Sequence, residues 1–172
     1  MALDFINPRP TTPQSVGALE SRLGTQLPRS FRKLLVEVSN GGVVEPVVAN
    51  SDRSIGVVAV LGAARGDALD IEDRLAQFRI GRLVAGLIPI MDAEGGNLVC
   101  LSIRQVDFGT VWFWDHEREL EGDAATMTAP SFDAFVDDLS PLAAAESLPT
   151  LDEVWIDPVF LTEIENEPKG DY

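Results

Sequence analysis

This sequence predicts a single domain that mixes helices and strands, and three patterns carry that prediction. Between residues 11 and 39 apolar side chains recur at three-to-four spacing, as on one face of a helix. From residue 43 that period gives way to β-branched and aromatic runs separated by glycine-rich turns. Ser131 then opens a further helical pattern near the end. With 172 residues, 45% of them hydrophobic, the chain can bury one full-sized core.

Thr11, Thr12 and Pro13 predict a helix start, a hydroxyl cap followed by proline in the first turn. Val16, Leu19 and Leu23 share its apolar face, and Gly24 ends it. A second helix follows Leu27 and Pro28, with Phe31, Leu34, Leu35 and Val38 inward and Arg29, Arg32 and Lys33 toward water. It stops at Asn40-Gly41-Gly42, so the two form a helical hairpin. Residues 43–48 and 55–61 read as strands joined by a turn or exposed loop at Asn50–Ser54. Asp67 or Asp70 is placed to cap a helix running to Phe78, whose inward face the mixed pattern of Leu69, Asp73, Ala76 and Arg79 leaves open. Leu87–Ile103 reads as a hairpin turning at Asp92–Asn97, Val111–Trp114 as a strand, and Ala124–Thr128 as another. Ser131–Leu139 forms an amphipathic helix, Phe132, Phe135, Val136 and Leu139 inward and Asp133, Asp137 and Asp138 outward. From Ala143 the chain is punctuated by prolines and acids, yet Trp155, Val159, Phe160 and Ile164 predict that part of this tail docks, with a loose end over residues 166–172.

Charge is distributed unevenly. Residues 1–60 hold five acids and six bases, whereas residues 61–172 hold twenty-three acids and seven bases. From Asp115 to the end, sixteen acids face only Arg118 and Lys169, a balance of −14 within a net charge of −15. Such a field repels phosphate backbones and anionic lipid, so neither nucleic acid nor a membrane surface is an expected partner. No apolar run reaches eighteen residues, no secretory signal is visible at the start, and Cys100 is the only cysteine. A reducing cytoplasm is the compartment these features predict. Cys100, between Val99 and Leu101, reads as a buried strand thiol without the positive neighbours that would activate it.

Several residues invite a chemical reading. Asp92, Glu94 and Asn97 have the oxygen donors of a calcium loop, but the remaining ligand positions of such a loop are missing, and Gly95-Gly96 supplies what a tight hairpin turn needs. His116, the only histidine, lies between Asp115 and Glu117 and could act as a general base. Hydrolysis would also require a nucleophile or metal and an oxyanion stabiliser, none of which the sequence identifies. A structural or interface role is therefore expected for His116, with no catalytic residue, metal or cofactor. Trp112 and Trp114 alternate with Phe113, so both faces of that strand are aromatic and at least one must meet the core. The other is covered by a helix, by the tail or by a partner. Asp115, Glu117, Glu119, Glu121 and Asp123 would share one side of an extended segment, either as a solvated loop or as a surface that steers a cationic partner.

Four segments in register resemble the SUKH superfamily, in the branch related to fungal cell-wall assembly regulators. They are Leu23–Leu35 leading to Asn40-Gly41-Gly42, then Ile88-Pro89-Ile90 with Gly95-Gly96-Asn97, then Val111–Glu117, and finally Ser131–Leu139. Asn97 departs from the pattern, since many relatives carry Asp there. The resemblance spans roughly residues 15–140 and implies an α+β fold, a single domain with a curved, mainly antiparallel sheet and helices packed against it. The expected organisation is a domain over residues 1–142 and an acidic extension over 143–172. Bacterial members are best known as immunity proteins that neutralise toxins, often nucleases, while others are interaction modules. The resemblance and the charge together predict a non-enzymatic protein that occludes a basic toxin domain, with Asp115, Glu117, Glu119, Glu121 and Trp114 in contact and His116 beside them. The alternative is a regulatory or scaffolding interaction domain without a toxin.

Overall fold

The computed structural model describes residues 3–49, 55–78, 83–118 and 124–142. Helix α1 (Pro13–Leu23) starts at Thr12, whose hydroxyl accepts the Ser15 N–H at 3.2 Å, and closes at Gly24. Helix α2 (Arg29–Lys33) passes into a π-helical turn over Leu34–Val38, where the Ser39 N–H reaches back to the Leu34 carbonyl. That wider turn keeps Leu34 and Leu35 both buried and leaves Val38 half-buried, a local winding that the regular spacing of the sequence does not announce. Glu20 ties the helical hairpin together from inside. Its carboxylate accepts the Leu27 N–H at 3.0 Å and pairs with Arg32 at 3.2 Å.

Strands β1 (Gly42–Ala49), β2 (Ile55–Val60), β3 (Leu87–Ala93), β4 (Leu98–Ser102), β5 (Val111–Trp114) and β6 (Ala125–Ala129) form an antiparallel meander in chain order. Helix α3 (Ile71–Phe78) lies between β2 and β3 in sequence. Of the two candidate caps, Asp70 performs the task, accepting the Glu72 N–H at 2.8 Å while its other oxygen takes the Arg65 N–H. The inward face of α3 is carried by Ile71 and Leu75. Helix α4 (Phe132–Asp138), capped by the Ser131 hydroxyl, leads to β7 (Leu139–Pro141), which pairs with β1 at the far edge. Leu139, expected as the last inward residue of this helix, instead opens β7. The expected Asn50–Ser54 turn and the tail from Ala143 lie outside the described residues.

The order β6-β5-β4-β3-β2-β1-β7 explains why the sheet curls. From Ala129 to Leu139 a seven-residue helix and a few extended residues reach about 23 Å at most. Six interstrand steps of about 4.8 Å would set the edges of a flat sheet near 29 Å apart. The crossover therefore fits only a curved sheet, and α4 lies over it with Phe132 edge-on to Phe31 at 5.2 Å.

The Asn40-Gly41-Gly42 motif is a backbone lock. The Asn40 amide receives the Ala63 N–H at 2.8 Å and donates to the Ala63 carbonyl at 2.9 Å, while Arg65 donates to the Asn40 and Gly41 carbonyls. Backbones meet here so closely that a Cβ on Gly62 would lie 2.0 Å from the Asn40 carbonyl oxygen.

The loop between β4 and β5 is braced by a second polar group of residues. Asp107 accepts from the buried Ser102 hydroxyl at 2.6 Å and pairs with Arg104, whose guanidinium sits 4.7 Å above the Trp112 ring. Arg104 chiefly, with help from Ser102 and against a smaller effect of burial, holds the Asp107 carboxyl below its ordinary value of 3.8. A carboxyl depressed by folding stabilises the fold above its unfolded pKa, and that contribution is lost as pH falls through the folded value. Urea midpoints taken down an acid series below about pH 4 should therefore drop more steeply for the native chain than for Asp107→Asn.

Candidate partner-binding site

Asp115, His116 and Glu117 lie at one end of the sheet, where the β3–β4 turn meets the exit of β5. Glu94–Gly96 make a 3₁₀ turn with Gly95 and Gly96 at φ 71° and 83°, the left-handed backbone that the paired glycines predict. Asn97 follows and reaches across to the next connection. Its Oδ1 accepts the His116 backbone N–H at 3.1 Å and faces the His116 Nδ1 at 2.9 Å. Its Nδ2 donates to the Glu94 carbonyl at 3.0 Å. The imidazole rests against Gly96, where an added Cβ would lie 3.8 Å from the ring.

His116–Arg118 form a single 3₁₀ turn, and the Asp115 carboxylate accepts the Glu117 N–H at 3.0 Å to cap it. This corrects the expectation of an extended run with alternating acids on one side. The turn carries Asp115 and Glu117 away from strand geometry, because the Asp115 side chain competes with the ladder for a nearby N–H. Asp115 stays attached to the sheet through its own N–H, which donates to the Ala124 carbonyl. Glu119, Glu121 and Asp123 lie outside the described residues. Glu94, read from the sequence only as part of a turn or metal loop, is exposed, but only its backbone carbonyl joins the Asn97 bridge, and its carboxylate lies over Gly56 of β2.

Trp114 requires the largest correction. Expected at the contact surface, it is completely buried. Strand alternation places Trp112 and Trp114 opposite Val111 and Phe113, and on that second face Trp114 packs with Leu87, Leu98, Cys100 and Ala124. Phe78, from the end of α3, closes over it edge-on at 5.1 Å. The indole therefore supports the acidic end from beneath and cannot supply contact area. Trp112 is half-buried, its Nε1–H bonded to the Thr110 hydroxyl at 2.8 Å.

The three oxygen-bearing residues of the β3–β4 turn are committed to different partners. Asp92 pairs with Arg74 at 2.7 Å, Glu94 extends over Gly56, and Asn97 holds His116. Burial pushes the Asp92 carboxyl above its ordinary value, with Arg74 opposing that shift. Cys100 is fully buried on the second face, and burial pushes its thiol far above the ordinary range, so no nucleophile is available there. No helix among the described residues is long and apolar enough to cross a membrane.

A helix-backed, curved antiparallel sheet, sealed by a late strand and locked by an Asn-Gly-Gly turn, defines the class as an α+β domain. The family can be named as well. Residues 10–138 match the SMI1 / KNR4 family (SUKH-1), and the chain belongs to that family. No curated protein matches it.

Proposed function

We propose that this SUKH domain is a non-enzymatic immunity protein that binds a cognate toxin domain of basic, nuclease type and occludes its active cleft. The acidic end of the sheet carries the reading. Asp115 and Glu117 stand on a turn fixed to β5, and the Asn97–His116 bridge ties that turn to the β3–β4 connection. Glu119 and Glu121 follow in sequence and enter the proposal on charge alone. Carboxylates held this way imitate the phosphates of a nucleic-acid substrate, and His116 adds a polar contact among them. Like charges that repel each other in the free protein become favourable when Lys or Arg side chains approach, which speeds encounter and selects the partner.

The experiment is a pulldown and nuclease-inhibition assay against toxin domains encoded beside this chain's own gene. Binding and inhibition are expected, with association slowing as salt screens charges over about 8 Å. The double variant Asp115→Lys, Glu117→Lys should weaken the complex at least about tenfold, close to 1.4 kcal/mol. Equal affinity at low and high salt would refute carboxylate steering. Absence of any toxin gene nearby, with capture of a regulatory assembly instead, would favour the scaffolding alternative.

A further inference from the structure

We infer that Asn97 sets the tautomer of His116, so that the imidazole offers a bare Nε2 as a hydrogen-bond acceptor at the acidic end of the sheet. The group it would accept is an N–H donor, a Lys ammonium or Arg guanidinium, a role that rests on the proposed binding of a basic partner. Asn97 is thus a positioning residue, acting on a partner only through His116.

Hydrogen bonding fixes the orientation of the Asn97 amide. Asn97 Nδ2 donates to the Glu94 carbonyl at 3.0 Å, which leaves Oδ1 as the atom facing the β5 exit. That oxygen already accepts the His116 backbone N–H at 3.1 Å, as an amide oxygen with two lone pairs can, and lies 2.9 Å from Nδ1. An amide oxygen only accepts, so Nδ1 must carry the hydrogen. In the neutral ring Nε2 is then unprotonated, since the bond made by one ring nitrogen decides the state of the other. Among the described residues Nε2 has no hydrogen-bond partner, and His116 is half-buried. The two turns therefore hold an oriented acceptor on the same short turn as Asp115 and Glu117. Carboxylates attract any cation. A fixed imidazole nitrogen also requires a donor at a particular place, which adds direction to a site otherwise governed by charge.

The single histidine makes the test direct, because the full chain gives one set of imidazole signals. Long-range proton–nitrogen correlation spectra of the neutral ring should show Nδ1 protonated and Nε2 bare. Asn97→Ala removes the acceptor and should move the ring toward the Nε2–H form that free histidine prefers in water. Asn97→Asp keeps an acceptor oxygen and should restore the Nδ1–H form. Diethyl pyrocarbonate, which acylates unprotonated imidazole nitrogen, should modify His116 in the folded protein, read by peptide mass. A bare Nδ1 in the native chain would overturn the inference. So would an unchanged tautomer in Asn97→Ala, or a His116 that resists acylation until the protein is unfolded. Because these readouts use the free chain, they stand or fall separately from toxin binding.

Discussion

Trp114→Ala is expected to lower the unfolding free energy by about 3–5 kcal/mol, the range for deleting a large aromatic side chain from a core. The indole is fully buried, and its removal leaves Phe78, Leu87, Leu98 and Cys100 facing a void that the flanking strands cannot close without breaking the β4–β5 ladder. Domains of this size are commonly stable by only about 5–15 kcal/mol, so the variant should be close to unfolding at physiological temperature. Urea titration followed by far-UV circular dichroism measures the loss. Trp112→Ala provides the contrast on the same face, since a half-buried ring and an exposed-site cation–π contact of about 0.5–1 kcal/mol make a smaller sacrifice. Unchanged stability in Trp114→Ala would contradict the packing and reopen a surface role for this residue.

Gly41→Ala should be nearly as damaging, by about 2–5 kcal/mol, because two penalties add. Its φ of 75° costs an L-residue about 1–2 kcal/mol. Its new Cβ would also lie 2.5 Å from the Val60 carbonyl oxygen and 2.8 Å from the Gly62 nitrogen, and overpacking of that kind costs about 1–3 kcal/mol. Gly62→Ala separates the two effects, since its clash with the Asn40 carbonyl needs no left-handed backbone. Thermal or urea melts should show about 1–3 kcal/mol for Gly62→Ala, the overpacking share alone, and a larger loss for Gly41→Ala. Tolerance of Gly62→Ala would mean that the lock between the Asn-Gly-Gly turn and the end of β2 is looser than described.

Much of the framework was legible in the sequence because local chemistry specified it. The Thr12 cap with Pro13, the Gly95-Gly96 turn, the Ser131 cap and the β-branched strands all depend on neighbours within a few residues. What escaped the sequence depends on distant partners. The Asn40 amide satisfies Ala63, twenty-three residues away, so the motif was visible as a helix stop but not as a lock. β7 is three residues long and exists only because β1 offers an edge, so its first residue resembled the last turn of a helix. At the candidate site the clustered charge was plain, yet alternation alone could not show that Asp115 would cap a turn or that Trp114 would face inward. Which indole is covered is decided by Phe78 at the end of α3, in another part of the chain. Asn97 carried a signal in its position after the paired glycines, but nothing local connected it with His116.

The late strand β7 bears on how the protein is made. Val47 in β1 pairs with Pro141 in β7, so the outermost ladder joins segments at nearly opposite ends of the domain. Such distant pairing closes a long loop before any contact repays it and places the domain among the slower folders for its size. Residues 4–6, made before β1, bond to Val43 and Glu45, but Val47–Ala49 must wait for residues 139–141 until the whole meander has been translated. Arrival of β7, rather than formation of the first hairpins, is expected to be the step that makes this domain resistant to aggregation.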